Sequence, residues 1–378
     1  MTEPGEVIAE ITSGVVALDA GEWDALNASA NPFVSHAFLS ALEESGSVGS
    51  GTGWSPAPIV IREGGALAGA LPAYLKSHSQ GEYVFDHGWA DAWERAGGRY
   101  YPKLQIAAPF SPVPGPRVLA ADEAIAVQLL RAAESVVLQN DLSSAHATFV
   151  EEGQLDLFRE SGWLVRQGTQ FHWANDGYAD FDGFLASLSS RKRRAIRKER
   201  AAAQGAVDIE ILRGTEIQPE HWDAFWIFYQ DTGARKWGRP YLTRAFFDLI
   251  AKSMADDLVL FLASRYGRPV AGALNILGPD CLYGRYWGAT QDIPFLHFEL
   301  CYYQAIDFAI AHGLPRVEAG AQGEHKLARG YLPVPTWSAH YIPDPGFRAA
   351  IADFLERETR AVAREQEFLG ELGPFRRG

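Results

Sequence analysis

The densest group of reactive side chains in this 378-residue chain is the run Gly323-Glu324-His325-Lys326-Leu327-Ala328-Arg329-Gly330-Tyr331, which follows an apolar stretch that reads as a strand. Attack of an amine on an acyl carbon needs a neutral nucleophile, a proton acceptor, and cationic or hydrogen-bonding groups facing the developing oxyanion. Glu324 and His325 offer proton acceptors, Lys326 and Arg329 offer positive charge, and Tyr331 adds a hydroxyl. The bland alternative is a solvated charged loop. Five polar side chains crowded at one strand end weigh against it.

Three further groups carry chemical potential. His297 and Glu299 stand near the expected start of a helix, with Asp292 as cap and Pro294 in its first turn. The positive helix end stabilises a carboxylate there, so Glu299 could take an amine proton directly or through water, with His297 beside it. Acidic first-turn residues are also common for dipole reasons alone. The loop holding Lys236, Trp237 and Arg239, taken with Arg285 and Tyr286 on an expected strand, suits an anionic or sugar-bearing acceptor, because guanidinium forks and aromatic faces bind such groups. Its alternative is ordinary strand packing, against which stands the cost of an unpaired Arg285 in a strand. The run Arg191 to Arg200 has seven basic residues in ten. It suits a tRNA acceptor stem, an acidic acyl carrier protein or anionic lipid, or else is a solvated helix. His297, Glu324, His325 and His340 have no metal-ligand spacing, so no metal is expected. P-loop and dinucleotide fingerprints are missing.

These groups need a scaffold, and the chain spells one twice. Trp23-Asp24-Ala25, Pro32-Phe33-Val34-Ser35-His36-Ala37-Phe38 and Ala68-Gly69-Ala70-Leu71 return in the same order as Trp222-Asp223-Ala224, Pro240-Tyr241-Leu242-Thr243-Arg244-Ala245-Phe246 and Ala271-Gly272-Ala273-Leu274. Ordered matches at a nearly constant offset imply two copies of one unit. Each copy reads as two helices, antiparallel hairpins, a helix and a strand. That order is mixed α/β with a mixed sheet, and not a Rossmann order, because hairpins join the central strands. The expected organisation is a first module over 1–175, a connecting basic helix over 176–205, and a second module over 206–378 that holds the site. The segment Gln80 to Arg117, rich in Pro and Gly, reads as a long functional loop.

Composition sets outer bounds. A hydrophobic content of 47% supports sizeable cores, and a net charge of −13 confines any polyanion site to a local patch. The start Met1-Thr-Glu-Pro-Gly-Glu6 lacks a secretory pattern and no stretch is long enough to span a bilayer. A cytoplasmic protein, at or near the inner face of the membrane, is expected. Cys281 and Cys301 form no disulfide framework or CxxC pair.

The runs Tyr283-Gly-Arg-Tyr-Trp-Gly288, Phe295-Leu-His-Phe-Glu-Leu-Cys-Tyr-Tyr-Gln-Ala-Ile306 and Glu318-Ala-Gly-Ala-Gln-Gly-Glu-His-Lys-Leu-Ala-Arg-Gly-Tyr331, with Asn31-Pro32-Phe33 and Tyr101-Pro102-Lys103, resemble the bacterial FemAB-like N-acyltransferases. The resemblance covers nearly the whole chain. It implies two tandem GNAT-like acyltransferase modules and transfer of an acyl or aminoacyl group to an amine of a cell-envelope precursor related to peptidoglycan. Fem-type enzymes carry a lysine in a Phe-Lys-x-x-Phe-Gly pattern that is assigned to the tetrahedral intermediate; His325-Lys326-Leu-Ala-Arg329-Gly330 matches it, so Lys326 takes that role by resemblance. The glycine loop with which GNAT proteins hold acetyl-CoA is replaced here by Gly288-Ala-Thr-Gln-Asp-Ile-Pro294. No tightly bound cofactor is expected, and the donor stays open among aminoacyl-tRNA, acyl-CoA and acyl carrier protein. Two other readings remain: a fatty N-acyltransferase acting on a lipid amine or sphingoid base, and a non-catalytic protein that binds peptidoglycan or RNA.

Overall fold

The computed structural model describes residues 8–237, 240–320 and 323–376, with the side chains of 233–237 and of Glu324 outside that description. Two compact units emerge: Met1–Gly168 with Pro335–Arg364, and Thr169–Val334 with Glu365–Gly378. The boundary therefore falls at 168 rather than 175, and 335–364 returns to the first unit. The basic segment is an integral helix of the second unit.

In unit 1 the chain runs β1 (Ala9–Ile11), α1 (Ala20–Leu26), α2 (His36–Glu44), β2 (Trp54–Pro56), β3 (Ile59–Glu63), β4 (Ala66–Leu71), β5 (Ala73–Lys76), α3 (His87–Arg95), β6 (Lys103–Ile106), β7 (Leu119–Ala120), α4 (Glu123–Gln139), β8 (Ala145–Val150) and α5 (Leu155–Glu160). The segment expected as one long loop thus contains a helix and a strand. Strands β3 and β4 form an antiparallel hairpin, whereas β6 and β8 are parallel and joined through α4. Leu129, Leu130 and Ala133 of α4 pack on Ile59, Leu71 and Ile106 in the core.

Unit 2 follows with β9 (Leu164–Ala174), α6 (Phe181–Ser187), α7 (Ser190–Gln204), β10 (Asp208–Arg213), α8 (Pro219–Trp237), α9 (Arg244–Ser253), β11 (Leu258–Arg265), β12 (Arg268–Leu277), β13 (Cys281–Ala289), α10 (Leu296–Phe298), a π-helical turn (Glu299–Tyr303), α11 (Gln304–Ala311), β14 (Arg316–Glu318) and a 3-10 turn (Glu324–Arg329), after which β15 (Leu332–Tyr341) passes back into unit 1 at Pro335 and α12 (Pro345–Glu371) belongs to unit 1 as far as Arg364. Its strands lie in the order β10-β11-β12-β13-β14-β9. The pair β13 and β14 is parallel, and the helical crossover that parallel pairing demands is α10 to α11.

The repeated sequence folds alike in both units. Ser35 and Thr243 each cap the following helix by accepting from the backbone N–H three residues on, at Phe38 (3.2 Å) and Phe246 (3.3 Å). Gly69 and Gly272 let a helix lie close to a central strand. A Cβ at Gly69 would stand 2.5 Å from Ile125 Cγ2, and one at Gly272 would stand 3.1 Å from Phe225. The repeat is a packing scheme, written in caps and small residues.

Candidate active site

Strands β13 and β14 pair over only three positions, Cys281 with Arg316, Leu282 with Val317 and Tyr283 with Glu318, after which β14 ends and β13 continues. The parallel strands therefore part at Glu318. At that level the β12 register steps from Tyr286 to Gly284, leaving Arg285 as the extra residue of a β-bulge. Bulges re-aim side chains. On the other flank of β14, His172 of β9 pairs with Glu318. Beyond the strand end, Gly323 at φ +125° and Gly330 at φ +92° bracket the 3-10 turn that carries Lys326. Glycine tolerates both positive φ values, and a Cβ at Gly323 would also strike the His325 ring at 2.5 Å.

Lys326 is only 2% exposed, and its Nζ donates to the Gly320 carbonyl at 2.7 Å. Burial, reinforced by the Arg285 charge, pushes its pKa down to about 7. A buried ammonium held by a carbonyl and, among the described residues, facing no carboxylate partner is readily re-aimed at a developing oxyanion. Glu318, 4% exposed, has Oε1 at 3.3 Å from Arg316 Nε and 3.8 Å from His172 Nδ1. Its Oε2 is buried without a hydrogen bond among the described residues. Burial pushes the Glu318 pKa up to about 7 against the pull of Arg316 and Arg285. His172 is kept neutral, its pKa lowered to about 3 by burial and by Arg316 and Lys326. Glu318 and His172 escaped the sequence reading, because only the pairing of β9 with β14 brings them together.

The other expected residues take varied places. Tyr302 and His325 Nε2 are hydrogen bonded at 2.8 Å, and the His297 ring packs on Trp287 and Tyr302. Arg329 bridges to Glu199 at 3.0 Å and lies 3.4 Å over the Phe298 ring, while Tyr331 is fully buried. Tyr286 packs edge-on against Tyr229 and Phe247. Glu299 was expected in the first turn after Pro294. Instead Phe295 adopts φ +66° as the cap, and Glu299 opens the π-helical turn. Its Oε1 accepts from Arg200 (3.2 Å), Gln204 (2.8 Å) and Gln304 (2.8 Å). Those contacts on Oε1 make it the post to which α7 is tied, while Oε2 has no hydrogen bond among the described residues. The side chains of Glu324, Lys236 and Trp237, and all of Arg239, lie outside the described residues.

Helix α7 has two faces. Glu199 braces the 3-10 turn through Arg329, and Arg200 braces the π-helical turn through Glu299 and α11 through Asp307 at 3.1 Å. Arg191, Arg194 and Lys198 are exposed.

Unit 1 holds a different charged cluster. Lys103 Nζ donates to Ser79 (2.9 Å), Glu82 (2.7 Å) and Asp86 (2.5 Å). From Asp86 the chain of hydrogen bonds continues through Tyr100 and His146 to His340. Every member is nearly or wholly buried. Alongside, Trp89, Trp93, Phe347, Ile351 and Phe354 line an apolar cavity of about 590 Å³ between α3 and α12.

Comparison with known proteins decides the family. The family described as FemAB-like, peptidoglycan biosynthesis/recognition, matches residues 14–377. The chain belongs to this family. Among solved structures, FemX is 13% identical with a TM-score of 0.54 over 89% of this chain and 98% of its own. L-PGS from Bacillus licheniformis is 9% identical with a TM-score of 0.51, over 86% of this chain and 98% of its own. A conserved protein of unknown function from Bacteroides thetaiotaomicron is 12% identical with a TM-score of 0.53, over 88% of this chain and 100% of its own. At such identities the likeness is one of fold. No curated protein matches the chain in sequence. As a FemAB-like protein with this two-unit mixed α/β architecture, the chain is an amide-forming acyltransferase. No helix among the described residues is long and apolar enough to cross a membrane, and no group of three or more His, Cys, Asp or Glu among them is placed to hold a metal.

Proposed function

We propose that the protein transfers an aminoacyl or acyl group to an amine of a peptidoglycan-related precursor, with the chemistry in unit 2 where β13 and β14 part. The observation that carries this reading is Lys326, a buried ammonium with a pKa near 7 whose partner among the described residues is the Gly320 carbonyl, with the Arg285 charge nearby. A carbonyl oxygen lodged against Lys326 gains charge as the amine adds, and a pre-placed cation favours that transition state over the ground state. Arg285, set in the bulge, anchors an anionic part of the acceptor. The exposed basic residues of α7 attract a donor bearing phosphates, which fits aminoacyl-tRNA and also the phosphopantetheine of acyl-CoA or an acyl carrier protein.

One observation favours a second reading. The cavity between α3 and α12 has the size of a small-molecule site and an aromatic lining. Its two charged residues are already committed, Arg166 to Glu358 (2.7 Å) and Asp344 to the Phe347 N–H (2.7 Å). An uncharged alkyl chain suits such walls, which keeps a fatty acyl donor and a lipid amine as the alternative. The test presents purified protein with aminoacyl-tRNA, acyl-CoA and acyl carrier protein in parallel, together with amine acceptors of both kinds. Mass spectrometry follows donor consumption and amide product. Consumption of aminoacyl-tRNA with a peptidoglycan precursor supports the first reading, and amide from a fatty donor alone supports the second. Tight ligand binding without any amide removes both.

A further inference from the structure

We infer that Glu318 is the proton acceptor of the transfer, taking the amine proton on Oε2 as the carbon–nitrogen bond forms. The inference rests on the acyl-transfer reading and adds to it a residue and a step. Glu318 is the last residue of β14 and makes the final pair with Tyr283 on one side and with His172 on the other, so its carboxylate lies at the end of both ladders, where β13 and β14 part. A buried carboxylate oxygen without a hydrogen bond is unfavourable, and native interiors rarely leave one so. Glu318 Oε2 is in that condition among the described residues, whereas Oε1 has an offset ion pair with Arg316 and a long contact with His172. Glu299, the acid expected to serve, also leaves Oε2 without a hydrogen bond among the described residues, but its Oε1 is clamped by a guanidinium and two carboxamides, which Glu318 Oε1 is not.

The charges facing Glu318 come from each neighbouring strand. Arg316 is on its own strand, and His172, neutral, is on β9. Arg285 of β13 lowers its pKa and Asp280 raises it, while Cys281 and Tyr283 also face it. Burial outweighs the cations, which leaves the carboxyl titrating near neutrality, where a general base works best. In the step itself the amine lone pair attacks the acyl carbon and the carbonyl π pair moves to oxygen, facing Lys326. The nitrogen loses its proton to Glu318. Collapse then breaks the bond to the donor's sulfur or oxygen, and Glu318 returns the proton to that leaving atom.

Glu318→Gln keeps the shape and removes the base. With the donor found active and a hydrazide acceptor, whose nitrogen stays unprotonated in mild acid, the wild-type rate falls below about pH 7 because Glu318 takes up a proton. The variant should lose about 10²- to 10⁴-fold in kcat/KM, and its residual rate should no longer fall on that acid side. A variant with near wild-type rate overturns the inference. So does a slow variant that keeps the acid limb, because that pattern belongs to a positioning role. If Glu318→Gln does not fold, infrared titration of the wild-type carboxyls substitutes for it: a carboxyl titrating near pH 7 that shifts when acceptor binds supports the inference, and its absence overturns it. Wild-type protein that forms no amide from any donor defeats the underlying reading instead, and there is then no acid limb to assign.

Discussion

The two units each contain a parallel strand pair joined by a helical crossover, and they treat the end of that pair in opposite ways. In unit 2, β13 and β14 separate, and Glu318, Arg285 and Lys326 gather where they part. In unit 1, β6 and β8 pair from Leu104 with Ala145 to Ile106 with Ala147, and the Pro-rich run then fills the end. Arg117, 1% exposed, is the plug. Its Nε donates to Thr148 O (2.7 Å) and its Nη2 to Val113 O (2.7 Å), while Gly115 bridges to Val150. The charges of unit 1 sit at the other end of its pair, where Lys76 and Lys103 oppose one another across β5 and β6 and each meets Glu82. Duplication has produced one filled fork and one open fork. Burial brings Lys76 and Glu82 of unit 1 to about 7 just as it does Glu318 and Lys326, so the lesson lies in the partners: ionic groups tied to several mark scaffold, and loosely held ones mark chemistry.

The strongest way to break this comparison is Lys103→Met. If the unit 1 cluster is scaffold, removing its central cation leaves Glu82 and Asp86 buried without compensation, which costs about 3–5 kcal/mol of stability. Urea unfolding measures it. A stable Lys103→Met protein that has lost turnover would make unit 1 catalytic and end the division.

Lys326→Ala tests the other side. Loss of one donor to an oxyanion lowers kcat by about 10²- to 10³-fold. Stability should hardly fall, because Nζ has one carbonyl as its hydrogen-bond partner and the ammonium is costly to bury. Steady-state kinetics beside a melting curve separates the two effects. Full activity in the variant removes Lys326 from the reaction.

The scaffold was legible in the sequence because it is local. A serine or threonine three residues before a phenylalanine, or a glycine between alanines, determines a cap or a close approach within one element. Lys326 was legible for the same reason, since its turn is written between two glycines. Glu318 was not, because what singles it out is the company of His172, Arg285 and Arg316, brought from three strands by the sheet. The unit 1 network was hidden likewise: Lys76 and Lys103 are separated by a helix in sequence and become neighbours only through β-pairing. Glu299 shows the reverse error. Local rules placed it at a helix start, whereas contacts from Arg200 and Gln204, a hundred residues earlier in the chain, decide what it does.

Glu299→Gln sharpens that point with a smaller effect. The carboxylate accepts one charged and two neutral hydrogen bonds, so its neutralisation should cost about 1–3 kcal/mol of stability, read as a lower urea midpoint. The pH–rate profile should keep its shape, because the proton acceptor is elsewhere. A variant that stays stable and loses the acid limb would hand Glu299 the role argued for Glu318.

The smallest expected effect comes from the exposed face of α7. Arg194 and Lys198 are solvent-facing, so the double change to alanine should shift stability by less than about 0.5 kcal/mol. Its consequence should appear in the KM for a phosphate-bearing donor, which rises a few-fold at low salt while kcat stays level. Charge attraction of this kind is screened, so wild-type and variant KM values should converge as salt increases. A KM that is indifferent both to the double change and to salt would return these residues to the solvated face of a bracing helix. Glu199 would then link α7 to the chemistry by holding Arg329 on the turn that carries Lys326, with Arg200 and Gln204 holding Glu299 beside it.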